Sequence, residues 1–477
     1  MRPTAMHMTR ICLAAAVIAS FALTGCTMAP RYDRPDLPVD AAWPESTRLT
    51  DEQRDAADAA ANRVWRAFFK DGTVVSLVET ALANNRDLRV AMLNIERVRA
   101  QYWIQRADLL PTINAAGSAS NQYLNKAVSQ RGEAVISRQY QATVGFTAFE
   151  LDLFGRIRSL KESALQQFFA TEEAAKSAQV TLVAEVVNAY LNLTAQKELL
   201  ALARSTYQNR QESYDLIKRM FDMGLTSQLT VNQARTIVEE ARVASAQFET
   251  NVGQAENVLV LLLGAPVPEG LHLAENMREI EMIPDLPPGL PSDLMQRRPD
   301  IMAAEHRLMA MNANIGAARA NFFPSISITA ALGSIAPQYH DLFSRGAGTW
   351  LFEPRAVLPI FDSGRNYATL KMSEADRDMA VATYEKSIQT AFREVADALV
   401  QRATIGEQLE AQKALVDATE ATYTLSQNRY EIGLDSFINV LDAQRSLFSA
   451  RQGMINTVLL RETNALNLYK ALGGGWE

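Results

Sequence analysis

The chain has 477 residues, of which 48% are hydrophobic and 21% charged, and its formal net charge is -7. The acidic balance argues against a nucleic-acid-binding protein. The four histidines are scattered, and the chain contains no metal-ligand spacing, Gly-rich phosphate loop or Gly-x-Ser-x-Gly motif, so the sequence predicts no enzyme.

The N-terminus has the pattern of a bacterial lipoprotein signal. A basic start precedes the apolar run Ile11 to Leu23, which is too short to span a bilayer as a helix. The run ends in Leu23-Thr24-Gly25-Cys26, which resembles a lipobox. This pattern predicts a signal peptide over residues 1–25 and acylation of Cys26. A secreted protein that keeps one unpaired cysteine is the alternative. Because Cys12 is lost with the signal, no intrachain disulfide is expected.

The next segment, residues 26–70, is predicted to be a lipid-anchored tether. Its prolines favour an extended chain. Asp51 to Arg63 is rich in Ala and charged residues, so we expect it to be helical if ordered. Helical periodicity resumes at Leu77 and continues to Leu109, where Leu110-Pro111 ends it.

Two β-hairpins are predicted, over residues 112–150 and 325–361. Tyr140 to Ala148 and Ile326 to Leu332 alternate between apolar and polar or small residues, as strands with one apolar face do. Polar loops are expected over Gln122 to Ser137 and Pro337 to Ala347. Each strand has about the 9 to 11 residues that cross a membrane. Two soluble hairpins, each with one solvent-exposed face, fit the same periodicity.

Membrane geometry decides between these alternatives. Four strands in lipid cannot satisfy their edges, because only closed barrels are tolerated there. Known barrels have at least about eight strands, so several chains must share one.

Long helices follow each hairpin. Arg156 to Met223 contains neither Gly nor Pro, and such a helix would be about 100 Å long. An apolar stripe follows its length as in a coiled coil and is interrupted only at Gln196 and Arg210. After Gly224 a second helical run, Ser227 to Leu263, returns. This pattern predicts a long helical hairpin over residues 156–263.

The chain is a tandem duplication. A shift of 209 places Gly155-Arg156 on Gly364-Arg365 and Gly224-Leu225 on Gly433-Leu434, and a shift of 213 places Pro111 on Pro324. Repeat 1 covers residues 71–264 and repeat 2 covers 291–477, with a linker over 265–290. Repeat 2 therefore has its own helical hairpin over residues 365–472. Two repeats in one chain favour assembly into a ring.

Three segments of repeat 2 resemble the outer-membrane factor family, which includes TolC. They are Leu358-Pro359-Ile360-Phe361-Asp362 before Gly364-Arg365, Arg429-Tyr430 with Gly433-Leu434 and Val440 to Gln444, and the ending Leu468 to Trp476. Within the family, the chain is similar to the OprM-type outer-membrane efflux lipoproteins.

The resemblance implies an α+β membrane protein of TolC-like fold. In such a homotrimer, four strands per chain form a shared twelve-stranded outer-membrane β-barrel. The trimer also has a mixed equatorial domain and a long periplasmic α-helical barrel. The family serves as the passive exit duct of a tripartite pump of the RND type, which carries drugs or other small toxic compounds to the exterior. A duct for metal ions or proteins is the alternative function.

The implied partners are two further copies of the chain, a periplasmic adaptor protein, an inner-membrane RND transporter and outer-membrane lipid, and no nucleic acid. The implied location is the outer membrane with an extension into the periplasm. No cofactor, metal site or catalytic residue is implied; the covalent groups are N-palmitoyl and S-diacylglycerol on Cys26.

The resemblance also assigns roles at the two helical turns. The turn residues match an adaptor-docking motif, and Gly is expected there because a short reversal needs a positive φ. Plain turn chemistry would explain these glycines as well. The docking residues are Gly224, Leu225, Thr226, Ser227, Gly433, Leu434, Asp435 and Ser436.

Ile438, Asp442 and Tyr430 match the family's periplasmic constriction. Ile438 and Asp442 are four residues apart, so they share one helix face, and threefold symmetry would make each a ring. Tyr430 matches a tyrosine whose hydrogen bonds keep the tip of TolC closed. Asp435 departs from the family, where TolC-type tips carry Arg, so we expect different locking contacts. The alternative role for Asp442 is a solvated charge on the helix surface. The alternative for the whole chain is a lipid-anchored periplasmic coiled-coil scaffold.

Overall fold

The computed structural model describes residues 27–36, 38–39, 65–130, 132–281 and 297–475. The helices are α1 Trp65–Phe68, α2 Gly72–Asn84, α3 Arg86–Ala107, α4 Arg156–Asp222, α5 Gln228–Leu263, α6 Pro299–Ala320, α7 Arg365–Glu431 and α8 Phe437–Ala471. The strands are β1 Asn114–Leu124, β2 Val135–Leu151, β3 Ser325–Ala336 and β4 Gly348–Val357. The predicted signal peptide, Cys26 and the stretch from Asp51 to Arg63 lie outside the described residues.

Both long helices form without interruption. α4 and α7 each contain 67 residues, in agreement with the absence of Pro from these stretches. A carboxylate starts each helix by accepting bonds from backbone N–H groups that have no partner within the helix. Asp152 accepts from the amides of Ile157 and Arg158, and Asp362 accepts from those of Gly364 and Asn366.

The helical run predicted from Leu77 to Leu109 is interrupted once in the structure. The structure has two helices, α2 and α3, separated by the buried residue Asn85. The Asn85 side chain accepts from the amide of Leu88 at 2.9 Å and donates to the carbonyl of Leu262 at 2.9 Å. An Asn that caps the following helix in this way competes with helix continuation, and periodicity alone does not reveal the break.

The four strands form one antiparallel sheet in the order β1-β2-β3-β4. The register aligns Val144, Leu332 and Trp350 across three strands, so one face of the sheet is apolar. The opposite face carries Thr329 beside Glu353. The register therefore confirms the alternation of apolar and polar residues predicted from the sequence. Among the described residues, the outer edges of β1 and β4 have no strand beside them.

The first hairpin is longer than predicted. β1 continues to Leu124 and β2 begins at Val135, so the expected loop from Gln122 to Ser137 loses residues to both strands. β2 also contains a bulge between Phe146 and Phe149, where Ala148 has a φ of 53° and its amide donates to the Thr329 hydroxyl at 3.0 Å. The extra residue lengthens β2 without changing the face of its apolar side chains. The loop predicted over Pro337 to Ala347 is confirmed.

The described chain forms two compact units. The first contains the sheet and consists of residues 27–35, Ile95–Thr171 and Ala304–Tyr384. The second consists of the described residues of Asp36–Asn94, Glu172–Ala303 and Glu385–Glu477, and it contains both long-helix turns. In the described part of the chain, no helix is both long enough and apolar enough to cross a bilayer.

Within the first unit, residues 28–34 form a strap along α6. The amide of Asn312 donates to the Pro30 carbonyl at 2.8 Å, and the Arg34 guanidinium donates to both oxygens of the buried Glu305 at 2.7 and 2.9 Å. Tyr32 donates to the same carboxylate at 2.9 Å. A buried carboxylate needs such partners, because leaving it unpaired would cost several kcal/mol. These hydrogen bonds and the ion pair therefore hold the strap against α6.

Gly316 is the point of closest approach between the strap and α6. A Cβ at this position would lie 2.6 Å from the Ala29 amide nitrogen and 2.6 Å from the Ser159 hydroxyl. Both distances are below van der Waals contact, so any larger residue must push the strap away.

We therefore expect Gly316→Val to displace the strap. Limited trypsin digestion of the folded protein should cut after Arg31, the strap arginine that is not followed by proline, several-fold faster than in the parent chain. Gly253→Val is the matched control, because Gly253 is also helical and a Cβ there meets nothing within 4 Å. Equal cleavage rates in both variants would contradict this account of the strap.

Candidate functional site at the helical turns

The two long helices end in turns of the same geometry. Gly224 and Gly433 have φ values of 74° and 78°, so the positive φ predicted at both is confirmed. The amide of Leu225 donates to the Met220 carbonyl at 2.8 Å, and that of Leu434 donates to the Arg429 carbonyl at 2.8 Å. This is the bonding that closes a helix with a left-handed Gly.

Both turns present a leucine to solvent. Leu225 is 67% exposed and Leu434 is 63% exposed. Thr226 and Ser227 complete the first turn, and Asp435 and Ser436 complete the second. Exposed apolar side chains at equivalent places in both repeats are typical of a contact surface.

The turns differ in how they lead into the returning helix. The Ser227 hydroxyl accepts from the amide of Thr230 at 3.2 Å and caps α5. Ser436 makes no such bond at the start of α8. Instead, Asp435 accepts from the Arg429 guanidinium at 2.5 Å, and this contact raises the pKa of Arg429. Asp435 is thus engaged by an arginine of its own hairpin.

Behind the turns, all four long helices share one apolar cluster. Its buried members are Ile217, Val231, Ala234, Ile237, Phe437, Val440 and Leu441, with Tyr214, Met220, Tyr423 and Tyr430 packed around them. The members come from α4, α5, α7 and α8, so the two helical hairpins are joined here. Truncating one large side chain in such a cluster costs about 3 to 5 kcal/mol.

Tyr430 contributes its ring to this cluster. The ring centroid lies 5.2 Å from that of Phe437. Burial raises the pKa of the Tyr430 hydroxyl, and this hydroxyl has no hydrogen-bond partner among the described residues of the chain. A locking hydrogen bond from Tyr430 is therefore not found among the described residues of one copy.

Ile438 and Asp442 lie on the opposite side of α8 from the cluster. Both are exposed, whereas Phe437, Val440 and Leu441 on the same helix are buried. The Asp442 carboxylate is 3.9 Å from the Arg445 guanidinium one turn further on. The structure therefore brings Ile438, Asp442 and Arg445 together on one solvent-facing stripe.

Arg445 also connects the two hairpins. Its guanidinium donates to the Glu240 carboxylate of α5 at 3.2 Å. Other ion pairs nearby stay within one hairpin: Arg204 with Glu249 in the first, and Arg451 with Glu420 in the second. The Arg445 contact could not be predicted from the sequence, because nothing in the local pattern shows which acid faces this arginine.

Arg210, which interrupts the stripe of α4, is buried. Its Nη1 donates to the Ile237 carbonyl at 3.0 Å, and its guanidinium lies 5.6 Å from the Phe448 ring centroid. Desolvation lowers the pKa of Arg210, while the nearby Glu240 raises it. The interruption of the stripe is therefore a buried polar link between α4 and α5.

The three histidines that the structure describes form no common site. His272 lies 3.8 Å from Glu279, His306 bonds to Gln166 at 2.7 Å, and His340 lies 3.6 Å from Asp341. Over the described residues, no group of three His, Cys, Asp or Glu side chains is arranged to hold a metal ion.

Comparison with known proteins agrees with this architecture. The sequence model of the family described as Outer membrane efflux protein matches residues 77–265 and 290–474, that is, both repeats. The antibiotic efflux pump outer membrane protein ArpC of Pseudomonas putida is 50% identical over 470 residues, which cover 98% of this chain and 96% of ArpC.

Two solved structures are similar along nearly the whole chain. A membrane protein from Pseudomonas aeruginosa has a TM-score of 0.87 at 42% identity and covers 94% of this chain and 98% of its own. The open state of the Neisseria gonorrhoeae MtrE outer membrane channel has a TM-score of 0.84 at 35% identity, with coverages of 95% and 99%. The chain therefore belongs to the outer membrane efflux protein family, and it is a passive outer-membrane duct of TolC-like fold rather than an enzyme.

Proposed function

We propose that three copies of this chain form the exit duct of a tripartite efflux pump of the RND type. An inner-membrane transporter drives the cargo, a periplasmic adaptor docks on the helical turns, and the duct releases drugs or other small toxic compounds outside the cell. The observation that carries this proposal is the open sheet of four strands, whose edge strands β1 and β4 lack outer neighbours among the described residues.

The edge strands require partners in a membrane. β1 has 11 residues and β4 has 10, and each backbone group left unsatisfied in hydrocarbon costs several kcal/mol. The apolar face that includes Val144, Leu332 and Trp350 is suited to lipid. Identical copies supply the missing partners, and with three copies, the number that the family resemblance implies, twelve strands close the wall.

A lipid on Cys26 would attach each copy at the same level. The strap places the Met28 carbonyl 3.5 Å from the Arg319 guanidinium, one residue before α6 ends at Ala320. β3 begins shortly afterwards, at Ser325. N-palmitoyl and S-diacylglycerol groups on Cys26 would therefore enter the bilayer close to where the sheet begins.

The proposed class of cargo is based on the names of two relatives. ArpC is named for antibiotic efflux, and another Pseudomonas putida relative of equal identity is named for toluene efflux. Their shared cargo class is small organic molecules. We infer the same class for this chain rather than metal ions or proteins.

The exposed stripe of α8 would act as the gate. Around a threefold axis, Ile438 forms an apolar ring and Asp442 forms a ring of carboxylates. An apolar ring narrows the passage, and a carboxylate ring favours cations. Opening would require the second hairpin to move away from the axis, which strains its contacts with the first hairpin.

The free energies of the contacts distinguish those that hold the two hairpins together from those that control opening of the gate. An exposed ion pair such as Arg445 with Glu240 is worth at most about 1 kcal/mol, so three pairs broken together contribute at most about 3 kcal/mol, or about a hundredfold in the opening equilibrium. The apolar cluster is worth several times more. The cluster therefore keeps the hairpins associated, while the ion pairs set how often the tip opens.

We expect Ile438→Ala with Asp442→Ala to enlarge the opening, because both rings lose side-chain volume. Single-channel conductance in planar bilayers should rise several-fold, and cation selectivity should fall. Asp397→Ala, which removes an exposed acid elsewhere, is the control. Unchanged conductance and selectivity in the double variant would remove the gate assignment.

Arg445→Gln should raise the open probability of the channel, since it loosens the link between the second hairpin and Glu240. Arg451→Gln is the matched control, because Arg451 lies on the same helix and its ion pair stays within the second hairpin. The effect should diminish in high salt, where exposed ion pairs are screened. Equal open probabilities for the two variants would show that the Glu240 link does not restrain opening.

Leu225→Asp with Leu434→Asp should abolish docking of the adaptor, because charge replaces the apolar contact on both turns. The measurement is crosslinking to the adaptor that copurifies with the parent protein from native membranes. Leu225→Met with Leu434→Met, which keeps the turns apolar, should retain it. Undiminished crosslinking in the aspartate variant would mean that the adaptor docks elsewhere.

A further inference from the structure

The tandem duplication provides a template for the contact between copies. Within one chain, the end of the first β-hairpin lies beside the start of the second, because β2 pairs with β3. In a closed ring, the end of the second hairpin, at β4, lies beside the start of the first hairpin of the next copy, at β1. The repeats correspond, so the contact within the chain predicts the contact between chains.

The contact within the chain is well defined. Phe154, just beyond β2, stacks on Phe323, just before β3, with ring centroids 4.7 Å apart and planes at 20°. Leu151, at the end of β2, is paired with Ile326 of β3. These residues seal the sheet where its strands meet the helices.

The sequence supplies the equivalent residues in the other repeat. Leu151-Asp152-Leu153-Phe154 before Gly155-Arg156 corresponds to Leu358-Pro359-Ile360-Phe361 before Gly364-Arg365, with two residues inserted ahead of the second glycine. Phe361 is thus the equivalent of Phe154. The shift of 213 makes Leu110 the equivalent of Phe323 and Ile113 that of Ile326.

Among the described residues of one copy, nothing covers these equivalents. Phe361 is 87% exposed and Leu110 is 72% exposed. Ile360, beside Phe361, is 94% exposed, and this adjacent pair contains the two most exposed large apolar side chains among the described residues. Such exposure on the two opposite edges of one sheet is typical of surfaces that a partner covers.

The faces of the strands agree with this correspondence. Ala356 is paired with Ile326, so Leu358, two residues further, belongs to the apolar face. Ala115 is paired with Val144, so Ile113 belongs to that same face. A register shifted by one residue would place the two side chains on opposite faces.

We propose that Phe361 of one copy packs on Leu110 of the next copy, with Leu358 opposite Ile113. The partner is a second copy of this chain, and the contact rests on the ring of copies proposed above. It seals the wall between copies at the end of the strands nearest the helices, as Phe154 and Phe323 do within each copy.

Cysteine crosslinking in isolated outer membranes tests this contact. In a Leu110→Cys/Phe361→Cys variant, mild oxidation should convert most of the protein into linked dimers and trimers on non-reducing gels. Each single variant should stay unlinked. The matched control is Tyr123→Cys/Phe361→Cys, because Tyr123 is also an exposed residue of β1 but lies at its other end, and this variant should stay unlinked as well.

The oligomeric mass of the same samples in detergent separates the two proposals. Trimers that do not link through Leu110→Cys/Phe361→Cys, or that link through the Tyr123→Cys control, would overturn this contact and leave the ring intact. A monomeric parent protein would overturn the ring and the contact together. If the double variant alone fails to assemble, Ile113→Cys/Leu358→Cys replaces it, and trimers of that variant without a link would overturn the contact.

Discussion

The structure depends on a constraint of the backbone: an antiparallel sheet of four strands has two edges. In water, such edges are satisfied by solvent, but in hydrocarbon no solvent is available. β1 and β4 are the first and last strands of both the sequence and the sheet, so head-to-tail association of copies joins them without a change in strand order. The exposed aromatic and aliphatic residues beside these edges have the same explanation.

The duplication gives both repeats the same elements, yet the repeats have diverged where the proposed duct functions. The two turns share their glycine geometry, but only the second has an arginine-to-aspartate contact across it. The exposed stripe of Ile438, Asp442 and Arg445 also belongs to the second hairpin alone. The proposed gate therefore lies in one hairpin, while the first hairpin supplies Glu240 as the partner of Arg445.

Features with local chemical causes could be predicted from the sequence. The uninterrupted α4 follows from the lack of Gly and Pro, the positive φ at Gly224 and Gly433 from turn chemistry, and the sheet faces from alternation. Features with distant causes could not. Asn85 ends a helix through its own cap and a carbonyl of α5, and Ala148 takes a positive φ opposite a threonine of another strand. Arg210 is buried by helices that are remote in sequence.

The central claim is that copies of the chain, and not the lipid proposed on Cys26, hold the protein in the membrane. The most direct measurement is the behaviour of a Cys26→Ser protein expressed with a cleavable secretion signal. The account predicts that this protein resists alkaline carbonate extraction of outer membranes and has the mass of three chains in detergent. A protein that washes off as a monomer would contradict the account and would favour a scaffold held only by its lipid.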